Sequence, residues 1–136
     1  MPNAPTPILN LTVPTPGGDS GAWGPEVNVN WAILDSLGAA PIINIAGPFN
    51  AVPSVFPRQV IRVTTGAVNV SIVLPDPASC PGKSFTVQKV DAGIGQVVVT
   101  PVAGNIEGQP QWNIGNQFQY VEFFSNGATF DIIANN

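Results

Sequence analysis

Proline and glycine punctuate this chain so often that few segments are long enough for a helix. The 136 residues include 15 Pro and 14 Gly, together more than a fifth of the chain. Proline fixes φ and removes an amide donor, while glycine favours turns over regular elements. A fold of short strands joined by many turns is the outcome that such spacing favours. The length suits one domain with one core, with room for a small appendage.

Charge narrows the function classes. Only 9% of residues are charged, and four Lys or Arg stand against eight Asp or Glu for a net charge of −4. The cations are Arg58, Arg62, Lys83 and Lys89. Binding to nucleic acid needs several Lys or Arg to displace counterions, so four scattered cations argue against it. A basic membrane-surface helix is disfavoured for the same reason. No apolar run approaches the ~18 residues of a bilayer span. Met1-Pro2-Asn3-Ala4-Pro5 lacks the basic and apolar regions of a secretory signal, and the expectation is synthesis in a cytosol without export.

Chemistry-bearing residues are sparse. Histidine is absent, which removes the commonest general base and the commonest transition-metal ligand. A lone Cys80 offers no disulfide within the chain and reads as a small, semi-buried side chain. Glu122 and Asp131 flank one hairpin turn and are the best pair for acid–base work, but a solvated sheet face explains them equally well. Gly93-Ile94-Gly95 lacks a third glycine and a following helix, so it does not read as a dinucleotide loop. No calcium-loop spacing occurs. The sequons at Asn10 and Asn69 carry little meaning without export. The expectation is a protein that is not an enzyme, with no cofactor and no metal.

Along the chain, residues 1–57 form an amino-terminal region and residues 58–136 a β module. Residues 1–22 read as an extended arm: Pro2, Pro5, Pro7, Pro14 and Pro16 favour polyproline geometry, yet Ile8, Leu9, Leu11 and Val13 are apolar. Residues 24–37 predict one short helix, with Pro25 at its first position, a Val27, Trp31, Leu34 stripe and Gly38 as its stop. Residues 38–57 read as a linker in which Ile42-Ile43-Asn44-Ile45 has strand character and the rest is irregular. From residue 58 the pattern is all β: strands near 60–64, 68–74, 85–90, 96–100, 118–124 and 129–133. Ser125-Asn126-Gly127 is a hairpin signal between the last two. The predicted fold is mainly β, a small antiparallel β-sandwich or open barrel with an extended arm and one short helix. No tandem repeat of fixed period stands out.

Two stretches resemble known proteins. Pro14-Thr15-Pro16-Gly17-Gly18-Asp19-Ser20-Gly21-Ala22-Trp23-Gly24-Pro25-Glu26-Val27-Asn28, followed by Trp31-Ala32-Ile33-Leu34-Asp35, resembles the amino-terminal segment of tailed-bacteriophage virion proteins, tail-fibre-like ones included. Later, Val87-Gln88-Lys89-Val90-Asp91, Gly104-Asn105-Ile106-Glu107-Gly108 and Tyr120-Val121-Glu122-Phe123-Phe124-Ser125-Asn126-Gly127-Ala128-Thr129-Phe130-Asp131-Ile132-Ile133 also resemble phage structural proteins. Here Asn126 occupies the turn and Phe130 stands where Trp is usual. The resemblance implies a virion component and a homotrimer, and it brings no catalytic residues. The compact layout resembles a capsid decoration (cement) protein as much as a tail fibre.

The expected role is structural: a homotrimer on the virion surface that contacts neighbouring proteins such as the major capsid protein. The expected interface anchors are Ile8, Leu9, Leu11, Trp23 and Trp31. The alternative is a tail-fibre-like adhesin that binds a host-surface glycan through Trp112, Tyr120 and Asn126 in exposed loops. A small hydrolase is the third and weakest reading.

Overall fold

A computed structural model describes residues 40–53 and 56–136. The expected arm, the expected helix and the anchors Ile8, Leu9, Leu11, Trp23 and Trp31 lie outside the described residues. The compact unit described here runs over Pro41–Asn136.

The described residues of this unit form nine strands and one short 3-10 turn: β1 (Ile42–Ile45), β2 (Phe49–Asn50), β3 (Arg58–Val63), β4 (Val70–Leu74), β5 (Ser84–Lys89), β6 (Val97–Pro101), β7 (Trp112–Ile114), β8 (Tyr120–Ser125) and β9 (Phe130–Asn135). The turn, Pro77–Ser79, is capped by the Asp76 carboxylate, which accepts the Ala78 N–H. One sheet has the order β1-β3-β5-β8-β9 and the other β2-β4-β6-β7. The mainly-β reading of the sequence is therefore observed. Strand character at 42–45 also appears as β1, while β2 and β7 arise where no strand was expected.

Strand direction departs from the purely antiparallel expectation. From β1 to β6, each strand lies in the opposite sheet from the one before it. Each return to a sheet then runs the same way, and β1–β3, β3–β5, β2–β4 and β4–β6 pair in parallel. The chain winds as a flattened coil, whose turns cross from sheet to sheet instead of closing hairpins. Beyond β6 the winding ends, and β6–β7, β5–β8 and β8–β9 are antiparallel. Asn126-Gly127 does form the hairpin turn, with Gly127 at φ 94. Such a φ is open to glycine and strained for most side chains.

The two sheets share one core. Period-two alternation turns Ile61 and Val63 of β3, Phe85 and Val87 of β5, and Val121 and Phe123 of β8 inward. Val70, Ile72 and Leu74 of β4, Val97 and Val99 of β6, and Ile114 of β7 meet them. Ile106 is also fully buried, carried in by the segment between β6 and β7. Phe85 and Phe130 pack edge to face, with ring centroids 6.1 Å apart. At the coil's first rung, Ile43 and Ile45 face the same way as Ile61 and Val63 but are only half-buried.

Phe130 is fully buried within this core. Phe130→Ala is expected to cost about 3–5 kcal/mol, read as a lowered urea midpoint. Phe118→Ala, at an exposed ring, is expected to stay within about 0.5 kcal/mol of the parent.

Candidate functional site

Lys89 is the most unusual polar residue of the core. Alternation in β5 places it inward after Phe85 and Val87, and it is fully buried. Its Nζ donates to the backbone carbonyls of Asp91 and Gly93, each at 2.7 Å, and lies 3.4 Å from Asp91 Oδ1. Three donors thus find three acceptors, which is what a buried ammonium requires.

The Asp91 carboxylate is the second half of this cluster. It accepts the Thr65 N–H at 2.9 Å, the Gly66 N–H at 2.8 Å and the Gly93 N–H at 3.1 Å. The Thr65 hydroxyl lies 3.1 Å from the Gly95 carbonyl, to which it donates. These groups belong to two crossings that leave the same sheet one turn of the coil apart, β3 to β4 and β5 to β6. The backbones touch there: a Cβ on Gly93 would collide with the Gly66 carbonyl, and one on Gly95 with that of Val68. The Gly93-Ile94-Gly95 pair therefore serves close backbone packing. The Thr65 amide, with those of Gly66 and Gly93 and the Lys89 ammonium, holds the Asp91 carboxyl well below the usual carboxylate range against the opposing effect of burial.

The candidate acid–base residues Glu122 and Asp131 are held apart by their hydrogen bonding. Glu122 and Asp131 both lie on sheet strands, but different partners hold them. Glu122 Oε1 accepts from the Ser84 hydroxyl at 2.8 Å and pairs with Arg58 at 3.1 Å. Asp131 accepts from the Asn126 side-chain amide at 3.0 Å. Cys80 is fully buried, and desolvation pushes its thiol pKa up, outweighing hydrogen bonds from Ser125 and Ser79. Among the described residues, no group of three or more His, Cys, Asp or Glu is placed to hold a metal.

The residues expected to bind glycan are not brought together either. Trp112 lies in β7 and packs against the core, and Tyr120 lies half-buried in β8, so neither is in an exposed loop. Asn126 follows the far end of β8. Its side-chain oxygen accepts the Ala128 and Thr129 N–H groups, so it builds the hairpin. Alternation had room for three-residue β7 only after the fact: Trp112 and Ile114 flank Asn113, a pattern too short to separate from a loop.

Phe118, placed by the sequence pattern at the start of a strand, is the exposed aromatic among the described residues. Phe118 has φ 62 and a relative exposure of 57%. Its N–H donates to the Lys89 carbonyl at 2.7 Å, which fixes the loop to β5. Beside it, Asn116, Gln117, Gln119 and Asn136 line a shallow cleft of about 150 Å³. Gln119 Oε1 accepts the Gly115 and Asn116 N–H groups.

The sheet edges differ in how they are finished. Phe130 at the start of β9 donates to the Asn105 carbonyl at 2.9 Å and accepts the Glu107 N–H at 3.0 Å. The Glu107 carboxylate then accepts the Ile132 N–H at 2.9 Å. β2 and β7 are very short. Among the described residues, β1 is an edge of four residues with a neighbour on one side only, and Ile42 at its start is 63% exposed.

No protein-family model matches this chain, and no curated protein sequence matches it.

Because its carboxyl is held low, Asp91 contributes stability that is present above its ordinary value of 3.8 and lost as pH falls from there toward its folded value. Asp91→Asn is expected to lower the Tm at neutral pH. It should also flatten the fall of Tm with acidification below that value. Thermal melts of both proteins across the acid range check both expectations.

Proposed function

We propose that this chain is a structural component of a bacteriophage virion, a decoration (cement) protein that acts by binding protein surfaces and not by catalysis. It assembles as a homotrimer and contacts neighbouring virion proteins such as the major capsid protein. The observation that best supports this reading is the way the unit uses its polar groups. Lys89, Asp91, Glu122, Asp131 and Asn126 are all engaged in holding the fold. Among the described residues, what the unit offers outward is an unfinished, apolar strand edge at β1. The two stretches that resemble phage virion proteins agree with that role, and a sheet edge is a ready template for pairing with another chain.

A second reading, a host-glycan adhesin, is favoured by Phe118. An exposed ring on a backbone held at positive φ, beside four side-chain amides, offers a platform for a sugar face. Its binding test is a glycan array probed with the parent and Phe118→Ala proteins. Binding by the parent that Phe118→Ala loses would favour this reading.

Deletion of residues 1–22 is expected to lower the number of copies carried per virion while the Pro41–Asn136 unit keeps its melt. Immunogold electron microscopy of intact particles measures the occupancy. Unchanged labelling after the deletion would remove the arm from the attachment role, and virions that never carry the chain would end the virion reading.

A further inference from the structure

The open edge at β1 has a counterpart elsewhere in the chain. Residues 41–48 read Pro-Ile-Ile-Asn-Ile-Ala-Gly-Pro, and residues 7–14 read Pro-Ile-Leu-Asn-Leu-Thr-Val-Pro. The shared pattern is Pro-Ile, an aliphatic, Asn, an aliphatic, two further residues and Pro. The later copy is the strand β1 together with the turn that follows it. The earlier copy has the same alternation: Leu9, Leu11 and Val13 on one side, Ile8, Asn10 and Thr12 on the other.

The geometry of β1 states what would fit against it. The carbonyls of Pro41 and Ile45 accept the Val60 and Thr64 N–H groups of the β3 side. In a parallel ladder, backbone groups alternate in direction, so the N–H and C=O of Ile42 and Asn44 face the open edge. The inward residues Ile43 and Ile45 are half-buried, whereas Ile61 and Val63, their partners on β3, are fully buried. One more aliphatic pair over Ile43 and Ile45 would complete the rung. Leu9 and Leu11 supply that pair when Ile8 stacks on Ile42 and Asn10 on Asn44, the only register that matches like with like.

We propose that residues 7–14 of one copy of this chain add to the edge of β1 in a second copy, as a parallel strand that places Asn10 beside Asn44. The donor strand continues the parallel order of β1, β3 and β5 and covers an edge that the described residues leave without a neighbouring strand. Backbone hydrogen bonds supply the adhesion. The two leucines and the Asn–Asn pair set the register. Prolines at both ends of each octapeptide confine the added strand to the residues between them. This deepens the subunit-contact reading and rests on it only in requiring that copies meet.

The test uses full-length chains. Asn10→Cys and Asn44→Cys variants, carrying tags of different size, are mixed and mildly oxidised. Neighbouring strands lie about 4.8 Å apart, within the Cα separation that a disulfide bridges, so a heterodimer bearing both tags is expected. Thr12→Cys in place of Asn10→Cys moves the thiol two residues along, about 8 Å from its partner, and the cross-link should be lost. Cys80 is fully buried, with its thiol pKa raised, and does not compete.

Asn44→Pro removes only an outward N–H, a substitution that an edge strand tolerates. This chain is expected to keep its melt and to run as a smaller species than the parent in light scattering. In a chain that carries both Asn10→Cys and Asn44→Cys, a disulfide that closes within that one chain would overturn the exchange between copies. So would absence of the mixed cross-link, or unchanged assembly of folded Asn44→Pro. Chains that cross-link yet are missing from virions would refute the virion role and leave this contact standing. Chains present on virions without the cross-link would do the reverse.

Discussion

Lys89 and Asp91 tie two crossings of the coil together, and the stacking of the sheets depends on that tie. In a coil of this kind, a strand's neighbours come from the turns before and after it, so nothing local closes the ladder. The crossings must therefore stack in register for the strands to do so. Thr65, Gly66 and Gly93 direct N–H groups at one carboxylate, and Lys89 binds the carbonyls of the same loop from beneath. The Gly95 N–H adds a backbone bond to the Gly66 carbonyl at 3.1 Å, and Val90 adds another to Val63 at 2.9 Å. A buried charge left without its partners is strongly destabilising. That penalty makes the fully bonded arrangement the one that the loops adopt.

This dependence explains why an ammonium occupies a core position. Its neighbours in register are Val63 and, one strand further, Ile45. An apolar side chain would fill the volume but leave the Asp91 and Gly93 carbonyls without this donor. Those carbonyls belong to a tight loop whose glycines pack against the Gly66 and Val68 backbone. Lys89 therefore acts as an internal cap for backbone acceptors at the end of β5, and its charge is balanced by the carboxylate two residues on.

Much of the fold was legible because alternation survives in most of the long strands, with β8, buried at three positions in a row, as an exception. Val70, Ile72 and Leu74 announce β4, and Asn126-Gly127 announces the final hairpin. Strand direction was not legible. A period-two pattern reports which side chains share a face and is silent about which strand lies alongside. Hairpin chemistry is strong at Asn126-Gly127, and extending that logic to the other turns led to an antiparallel expectation. β2 has two residues, too few for any pattern. Lys89 carried a signal in its register after Phe85 and Val87, since a charge on the inward face of a strand demands a nearby acceptor. The role of Asp91 carried none, because its partners are backbone amides from a distant turn. Phe118 stood out only once its φ and exposure were seen. The interface anchors Ile8, Leu9, Leu11, Trp23 and Trp31 lie in the part of the chain outside the described residues.

The octapeptide pair was hidden for a different reason. Ile and Leu replace each other in it, and the spacing of the two copies differs from that of every parallel strand pair. Ile42 stacks on Val60, and Val60 on Thr86, with unequal lengths of chain between them. A coil with turns of variable length leaves no fixed period, so similarity must be sought in what each rung does and not in its spacing. An inward aliphatic pair separated by an outward residue and bounded by prolines is what a terminal rung needs. The prolines stop the strand before it grows, and the aliphatic pair seals the core beneath it. On this physical ground a strand that resembles an edge is suited to cover that edge, and a chain carrying both is able to join copies of itself without a second kind of surface.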